Sequence, residues 1–403
     1  MTLEAITSQT LKQGVHPPEV VPQTGTQPNT ATTDATTIPI IIVGAGPAGL
    51  ALGYQLKRRG LPFVIFDQYG PGATWARHYE HLSLHSLKPL SKLPGLPMPA
   101  HYPDFPTGAQ VHAYLAGYAA HFDLPIQTGV EVVSAHHDGA RWHLETTQGV
   151  FQSHLLIAAT GIWNGPVLPK LPGQDTFNGT ILHSHDYKRP QDFAGKRVLV
   201  VGAGNSGTEI ACAVAKVAEA TGLAVGKRGI LMVKYPKTVL GSRLTSRVLR
   251  GLPDHISGLL LRYVHHDFAD LGLPLPQHNL RYAYPVVGFD IVDAVKRGTI
   301  TTHTSLAQFE GNEVVFTDGG RARYDTVIMA TGYRPALGFL EDALKDVYPE
   351  PFSTLIPSSL HNYQLTKVPN TLFFGYDYPE SEAWLHRLPE KSGQAAKVIS
   401  DLC

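Results

Sequence analysis

Two glycine turns hold the residues of this 403-residue chain best suited to chemistry. The first, Gly44-Ala-Gly46-Pro47-Ala-Gly49, follows the apolar run Ile38–Val43; the second, Gly202-Ala-Gly204-Asn205-Ser206-Gly207, follows Val198–Val201. A lone pattern of this kind is weak, but between a buried strand and a helix each glycine has a task. The first permits a tight turn, the second lets the backbone approach a pyrophosphate, and the third lets the helix pack closely on the strand. The helix start, at Pro47 in one turn and at Asn205 and Ser206 in the other, then offers unpaired N–H groups and a positive dipole end. The strand Phe63–Phe66 after the first turn ends on Asp67 and Gln68, which places a carboxylate to accept hydrogen bonds from a ribose. After the second turn, the strand Ile230–Val233 runs into Lys234-Tyr-Pro-Lys237, with no acid. A cation there welcomes a 2′-phosphate that a carboxylate would repel, so NADPH is expected in preference to NADH. Two dinucleotide sites on one chain imply electron transfer between two cofactors, most simply a hydride passing from NAD(P)H to a flavin.

Composition narrows the setting. Lys and Arg total 33 and Asp and Glu total 33, so no electrostatic footprint for nucleic acid is present. No apolar run approaches the roughly 20 residues of a membrane span, and no basic-then-apolar leader opens the chain. A cytoplasmic protein without stable membrane insertion is expected. Cys212 and Cys403 form no CxxC pair, which excludes a disulfide framework. Cys212 sits in an apolar helical stretch and reads as a buried, inert thiol. Residues 1–37 are rich in Thr, Gln and Pro without apolar periodicity, and read as a disordered tail.

The elements that must position the turns repeat. A helix follows Gly49, a second helix starts at Thr107 with Gln110 in capping-box position, and three meander strands cover about 130–136, 141–146 and 150–158. That meander ends in Ala159-Thr160-Gly161. After Gly207 come a helix through residue 219, the strand Ile230–Val233, and meander strands near 300–308, 313–317 and 325–330, ending in Ala330-Thr331-Gly332. The fold expected is α/β, with two Rossmann-like dinucleotide-binding domains of common plan. A helix over Ile256–His266 and a Pro-rich loop, within 240–285, read as a lid or substrate wall that a membrane surface would also accept.

A histidine cluster is weighed against this. His78, His81 and His85 would face one way on a helix, but Leu82-Ser-Leu-His-Ser-Leu alternates in the manner of an extended segment, so no metal is expected.

Phe177-Asn-Gly179-Thr-Ile-Leu-His183-Ser-His-Asp-Tyr187 resembles the FxGxxxHxxx(W/Y) fingerprint of class B flavoprotein monooxygenases. Tyr79-Glu-His-Leu82-Ser-Leu84-His85-Ser-Leu-Lys88 is similar to a segment of YUCCA-type and related bacterial flavin monooxygenases. Phe105-Pro-Thr107-Gly-Ala-Gln110, Gly161-Ile-Trp-Asn-Gly-Pro166 and Ala330-Thr331-Gly332-Tyr333-Arg-Pro335 agree. The resemblance, over about residues 38–376, implies FAD in the first unit (38–161 and 329–403) and NADPH in the second (162–328), inserted within it. Each ATG then marks a crossing between domains. It implies a flavin C(4a)-peroxide that inserts one oxygen from O₂ into a small organic substrate, with heteroatom oxygenation favoured over Baeyer–Villiger chemistry. Tyr79 and His85 are the candidate catalytic side chains, beside Trp75 at the flavin. His183 joins them, read as a hinge residue more than an acid–base catalyst. Thr160, Thr331, Gly332 and Gly375 are expected at the cofactors, although Glu380–His386 departs from the family pattern. A homodimer is compatible with this reading. The alternatives are an NAD(P)H–flavin reductase and a redox-sensing flavoprotein without oxygenation.

Overall fold

Each glycine turn sits in its own parallel sheet, and the two sheets repeat one order over four strands. The computed structural model describes residues 36–234, 253–277, 285–345, 360–361, 364–365, 368–376 and 384–402. Residues 1–35 of the Thr-rich tail and Lys237 lie outside the described residues, as do parts of 240–285 and of Glu380–His386.

In the first sheet β1 (Thr36–Val43), which starts two residues before Ile38, lies between β2 (Val64–Asp67) and β6 (Gly149–Ala158), parallel to each. β3 (Ile126–Thr128) extends the sheet beyond β2, and β4 (Val132–His137) and β5 (Trp142–Thr146) fold back antiparallel on β6. Ile40 and Ile42 enter one core while Ile41 and Val43 enter the other, which explains an unbroken apolar run. Helices α1 (Pro47–Arg58), α2 (Ala73–Ala76) and α3 (Gly108–His121) follow the strands, with α1 and α3 on one face. The capping box of α3 forms as expected: Thr107 Oγ1 accepts from Gln110 N at 3.3 Å, and Gln110 Oε1 accepts from Thr107 N at 2.9 Å.

β7 (Gly165–Pro166) leads the chain to β8 (Thr180–His183), the edge strand of the second sheet. There β9 (Arg197–Val201) precedes the second glycine turn and α4 (Asn205–Val214), and β10 (Ala220–Ala224) returns parallel to β9. Among the described residues, β11 (Met232–Val233) and β12 (Val286–Val287) pair only with each other. β13 (Thr301–His303) joins the parallel sheet, and β14 (Leu306–Glu310), β15 (Glu313–Phe316) and β16 (Arg321–Arg323) form the second meander. β17 (Thr326–Met329) closes the sheet beside β9, and β18 (Tyr333–Arg334) pairs antiparallel with β7. β19 (Leu360–His361), β20 (Gln364–Leu365) and β21 (Thr371–Phe373) complete the first sheet, and the helix Trp384–Leu402 packs into the α1 core through Leu388, Ala395 and Ile399.

In the orders β3-β2-β1-β6-β21 and β13-β10-β9-β17-β8 the first four strands correspond in chain order, while the fifth comes last in the first unit and first in the second. The two segments that follow the ATG triplets, β7 and β18, pair with each other where the chain leaves and re-enters the first sheet.

Three expectations change. The second strand of the second unit is β10, not Ile230–Val233; the apolar run at 230–233 is buried, yet its strand portion pairs with β12. Helix α4 stops at Val214, because the chain must turn early to begin β10. The segment 300–308 divides into β13 and β14, since its first part belongs to the parallel sheet and its second to the meander. The helix Asp254–Val264 falls where one was expected, with Ile256, Leu259, Leu260 and Tyr263 exposed. Among the described residues, no helix is long and apolar enough to cross a membrane.

Gly222 shows why β10 is hidden from propensity. A Cβ there would lie 2.1 Å from the Tyr324 hydroxyl oxygen, whose partner is His303 Nε2 at 2.8 Å. The strand accepts a poor β-former because nothing larger fits. Gly222→Ala is expected to destabilise the protein by about 1–3 kcal/mol through overpacking, visible as a lower Tm in thermal unfolding.

Candidate active site

The two turns share one geometry. Gly44 and Gly202 both adopt φ +111°, and a Cβ would lie 2.5 Å from Ala159 O at the first and 2.4 Å from Ala330 O at the second. A Cβ on Gly49 would lie 1.9 Å from Gly44 O, and one on Gly207 1.8 Å from Gly202 O. Only glycine can occupy these four positions. At Gly46 and Gly204 the same test finds nothing within 4 Å. Each is the N-cap of its helix without a side-chain cap, and neither helix carries an acid in its first turn. The helix starts therefore open on free space with N–H donors uncapped, a cradle suited to a pyrophosphate.

The ends of the second strands differ in charge. Asp67 closes β2; its Oδ2 accepts from Ala45 N at 2.7 Å, and its Oδ1 from Tyr69 N at 2.8 Å and Gly70 N at 2.7 Å. A carboxylate has about four lone-pair positions, so room for one further donor remains. Gln68 instead reaches Glu131 at 2.7 Å. Beyond β10 come Val225 and Gly226, then Lys227 and Arg228, both exposed; among the described residues neither makes an ion pair. Lys234, the cation expected here, instead follows β11, whose strand lies outside the parallel sheet. Lys227 and Arg228 had a local signal, a basic pair after a glycine, but the stronger apolar run downstream drew the strand assignment away.

Asn205 is fixed at both ends of its amide: Nδ2 donates to Pro285 O and Oδ1 accepts from Val287 N, each at 3.0 Å. Thr331 donates to Val167 O, and Gly332 O accepts from Val167 N at 3.0 Å. In the first unit Thr160 pairs with the fully buried Tyr376, hydroxyl to hydroxyl at 2.7 Å, and also donates its N–H to that oxygen at 3.1 Å. Gly375, at φ +91°, carries the chain from β21 into Tyr376. Tyr376 was not anticipated, because nothing local marks a tyrosine that bonds to the end of a neighbouring strand 216 residues away.

The segment after β2 reaches from the first unit into the second. Trp75 packs against the first core, whereas Tyr79 is buried in the core built around β9 and α4, edge-on to Tyr187 at 5.8 Å. Ser83 bridges Thr107, and the chain bends at His85 and Ser86, so the stretch is not helical, though only Ser83 pairs as a strand would. Tyr79 and His85 converge on one side chain absent from the sequence expectations, Glu209 of α4. The Tyr79 hydroxyl donates to Glu209 Oε2 at 2.7 Å, and His85 Nε2 lies 2.5 Å from Glu209 Oε1. Burial, with the Glu209 charge second, drives the Tyr79 pKa upward, so the phenol stays a neutral donor. An acid on an otherwise apolar helix face was the available signal for Glu209.

His183 is nearly fully buried, and both its ring nitrogens meet backbone. Nδ1 accepts from His185 N at 3.1 Å and Nε2 donates to Gly332 O at 3.1 Å, which ties β8 to the second ATG turn. Burial lowers its pKa, and the imidazole is held neutral. No proton is left over for exchange with a substrate. Burial likewise pushes the Cys212 thiol up to about 12, so it is inert at neutral pH. Among the described residues no group of three His, Cys, Asp or Glu is arranged for a metal ion.

His78 gives a pH dependence. Burial first, then the charges of Lys188 and His185, lower its pKa to about 4. An unfolded histidine titrates near 6.5, so stability is complete above that value and falls as pH drops from 6.5 toward 4. Tm measured against pH should decline less steeply over that window in His78→Gln than in the parent protein.

Comparison with known proteins comes to the same place. A model for flavin-binding monooxygenase-like proteins matches residues 69–368, and one for an NAD(P)-binding Rossmann-like domain matches 42–86. The indole-3-pyruvate monooxygenase YUCCA4 of Oryza sativa subsp. japonica is 34% identical over 326 residues, 73% of this chain and 74% of that protein. The probable indole-3-pyruvate monooxygenase YUCCA7 of Arabidopsis thaliana is 35% identical over 321 residues, with the same coverage of 73% and 74%. Among solved structures, a flavin-containing monooxygenase from Stenotrophomonas maltophilia superposes with a TM-score of 0.69 at 27% identity, covering 91% of this chain and 99% of its own.

Proposed function

The chain belongs to the flavin-binding monooxygenase-like family and is an FAD- and NADPH-dependent monooxygenase; from that premise we propose how its residues divide the work. The first unit, 38–161 with 329–403, holds FAD, and the second, 162–328, holds NADPH. The observation that carries this assignment is the opposite charge at equivalent strand ends. Asp67 suits a ribose with a free 2′-hydroxyl, as in FAD, while Lys227 and Arg228 suit a 2′-phosphate.

Gly46 with Pro47 and Gly204 with Asn205 and Ser206 admit the two pyrophosphates, and the uncapped starts of α1 and α4 donate N–H groups to them. Bound FAD would supply hydride acceptance from NADPH and activation of O₂ for transfer of one oxygen atom. The protein's own contribution is placement and exclusion of water. Trp75 and Tyr79 wall the flavin side; Tyr79 remains a neutral donor, and His85, held through Nε2, presents a fixed ring to the reacting centre. His183 acts as a positioning residue, joining β8 to the turn at Gly332 by which the chain returns to the first unit.

The related YUCCA proteins, by their names, act on indole-3-pyruvate. Their similarity across both units redirects the substrate expectation from heteroatom compounds to an aromatic 2-oxo acid. A cytoplasmic setting, where NADPH is supplied, fits the same reading. Two results test the proposal. Gly46→Ala should fold, because its Cβ meets nothing, yet purify without bound flavin; flavin retained at parental levels would move FAD out of the first unit. Aromatic 2-oxo acids should accelerate NADPH oxidation with little H₂O₂ release, and acceleration by sulfides or amines alone would reject the substrate assignment.

A further inference from the structure

We propose that Glu209 is a positioning residue that fixes the protonation pattern of the His85 ring and ties it to the NADPH-side turn. The contact crosses the two units: Tyr79 and His85 belong to the segment after β2, whereas Glu209 lies on the helix that begins at Gly204. Its two oxygens are divided, Oε2 to the Tyr79 hydroxyl at 2.7 Å and Oε1 to His85 Nε2 at 2.5 Å. A carboxylate only accepts, so Nε2 of the His85 ring must carry a proton, and that proton is held by a side chain of the second unit. Ser206 of the glycine turn lies beside the same Tyr79 hydroxyl, which places the clamp next to the pyrophosphate cradle. The Tyr79 ring is buried against Tyr187 of the linker fingerprint, so the clamp is anchored on a packed side chain and not on a mobile one.

Gln at this position keeps the shape but exchanges one acceptor for a donor. It cannot accept from both Tyr79 and His85 in the present arrangement. A carboxylate-to-amide change beside a histidine leaves geometry intact while reversing the tautomer. The inference rests on the reading of His85 as the side chain beside the flavin, and the experiment separates the two.

The enzyme is labelled with ¹⁵N-histidine and loaded with FAD, and the His85 ring signals, identified by their loss in His85→Gln, are compared between the parent and Glu209→Gln. The parent should show Nε2–H and Glu209→Gln a shift toward Nδ1–H, with flavin content unchanged as the check on folding. In turnover, the fraction of NADPH electrons released as H₂O₂ should rise at least about ten-fold in Glu209→Gln. Tyr79→Phe, which removes only the other donor, should leave the His85 tautomer as in the parent. An unchanged His85 tautomer in Glu209→Gln overturns the proposal, as does an unchanged peroxide fraction. If His85→Gln itself leaks no additional peroxide, the placement of His85 beside the flavin fails instead.

Discussion

Gly204→Ala is expected to give a folded, yellow protein that NADPH reduces poorly. The backbone at Gly204 is extended at φ −79°, which any residue adopts, and a Cβ there meets nothing within 4 Å. The fold therefore accepts alanine. The pyrophosphate does not, because the added methyl occupies the space through which the turn's backbone approaches it. Each charged hydrogen bond lost should cost about 1.5–3 kcal/mol, or roughly ten- to a hundred-fold in NADPH affinity. Flavin content should match the parent, since the first unit is untouched. Gly207→Ala separates sterics of the ligand from sterics of the fold: its Cβ would sit 1.8 Å from Gly202 O, so that variant should lose the folded state itself. Flavin content, Tm and the rate of flavin bleaching by NADPH under anaerobic conditions distinguish the three proteins. A Gly204→Ala enzyme reduced at the parental rate would remove NADPH from this turn.

The second large effect is on the choice between nicotinamide cofactors. Lys227→Ser with Arg228→Ser should lower kcat/KM for NADPH by about ten-fold per cation, with kcat/KM for NADH little changed. Exposure limits each contribution, and the parental preference should itself weaken as salt is added. Lys234→Ser is the informative control. That lysine follows a strand paired, among the described residues, with β12 and outside the parallel sheet, so its replacement should leave the cofactor ratio near the parental value. Steady-state kinetics with both cofactors at two ionic strengths decides between the positions.

These two predictions also mark how far the sequence could be read. The glycine turns, the first meander and the capping box at Thr107 were all legible, because each depends on residues close together in the chain. β10 was not. Ala220-Thr-Gly-Leu-Ala224 has little strand propensity, and its identity comes from β9 and from the Tyr324 hydroxyl that excludes a side chain at Gly222. The misplaced strand moved the basic residues that follow it from Lys227 and Arg228 to Lys234. Glu209 was hidden for a related reason: its partners His85 and Tyr79 lie more than a hundred residues away, and only the folded arrangement joins them. His183, singled out as a hinge residue more than an acid–base catalyst, has both ring nitrogens bonded to backbone, which suits joining elements better than proton transfer.

The central claim is that electrons from NADPH, passed through FAD, place one atom of O₂ in an organic product. The most direct test runs the purified enzyme with NADPH, ¹⁸O₂ and an aromatic 2-oxo acid. One labelled oxygen in the organic product for each NADPH consumed, with the other in water, is the result predicted. Consumption of NADPH with all the oxygen recovered as H₂O₂, and no labelled product from 2-oxo acids, ketones, sulfides or amines, would contradict it.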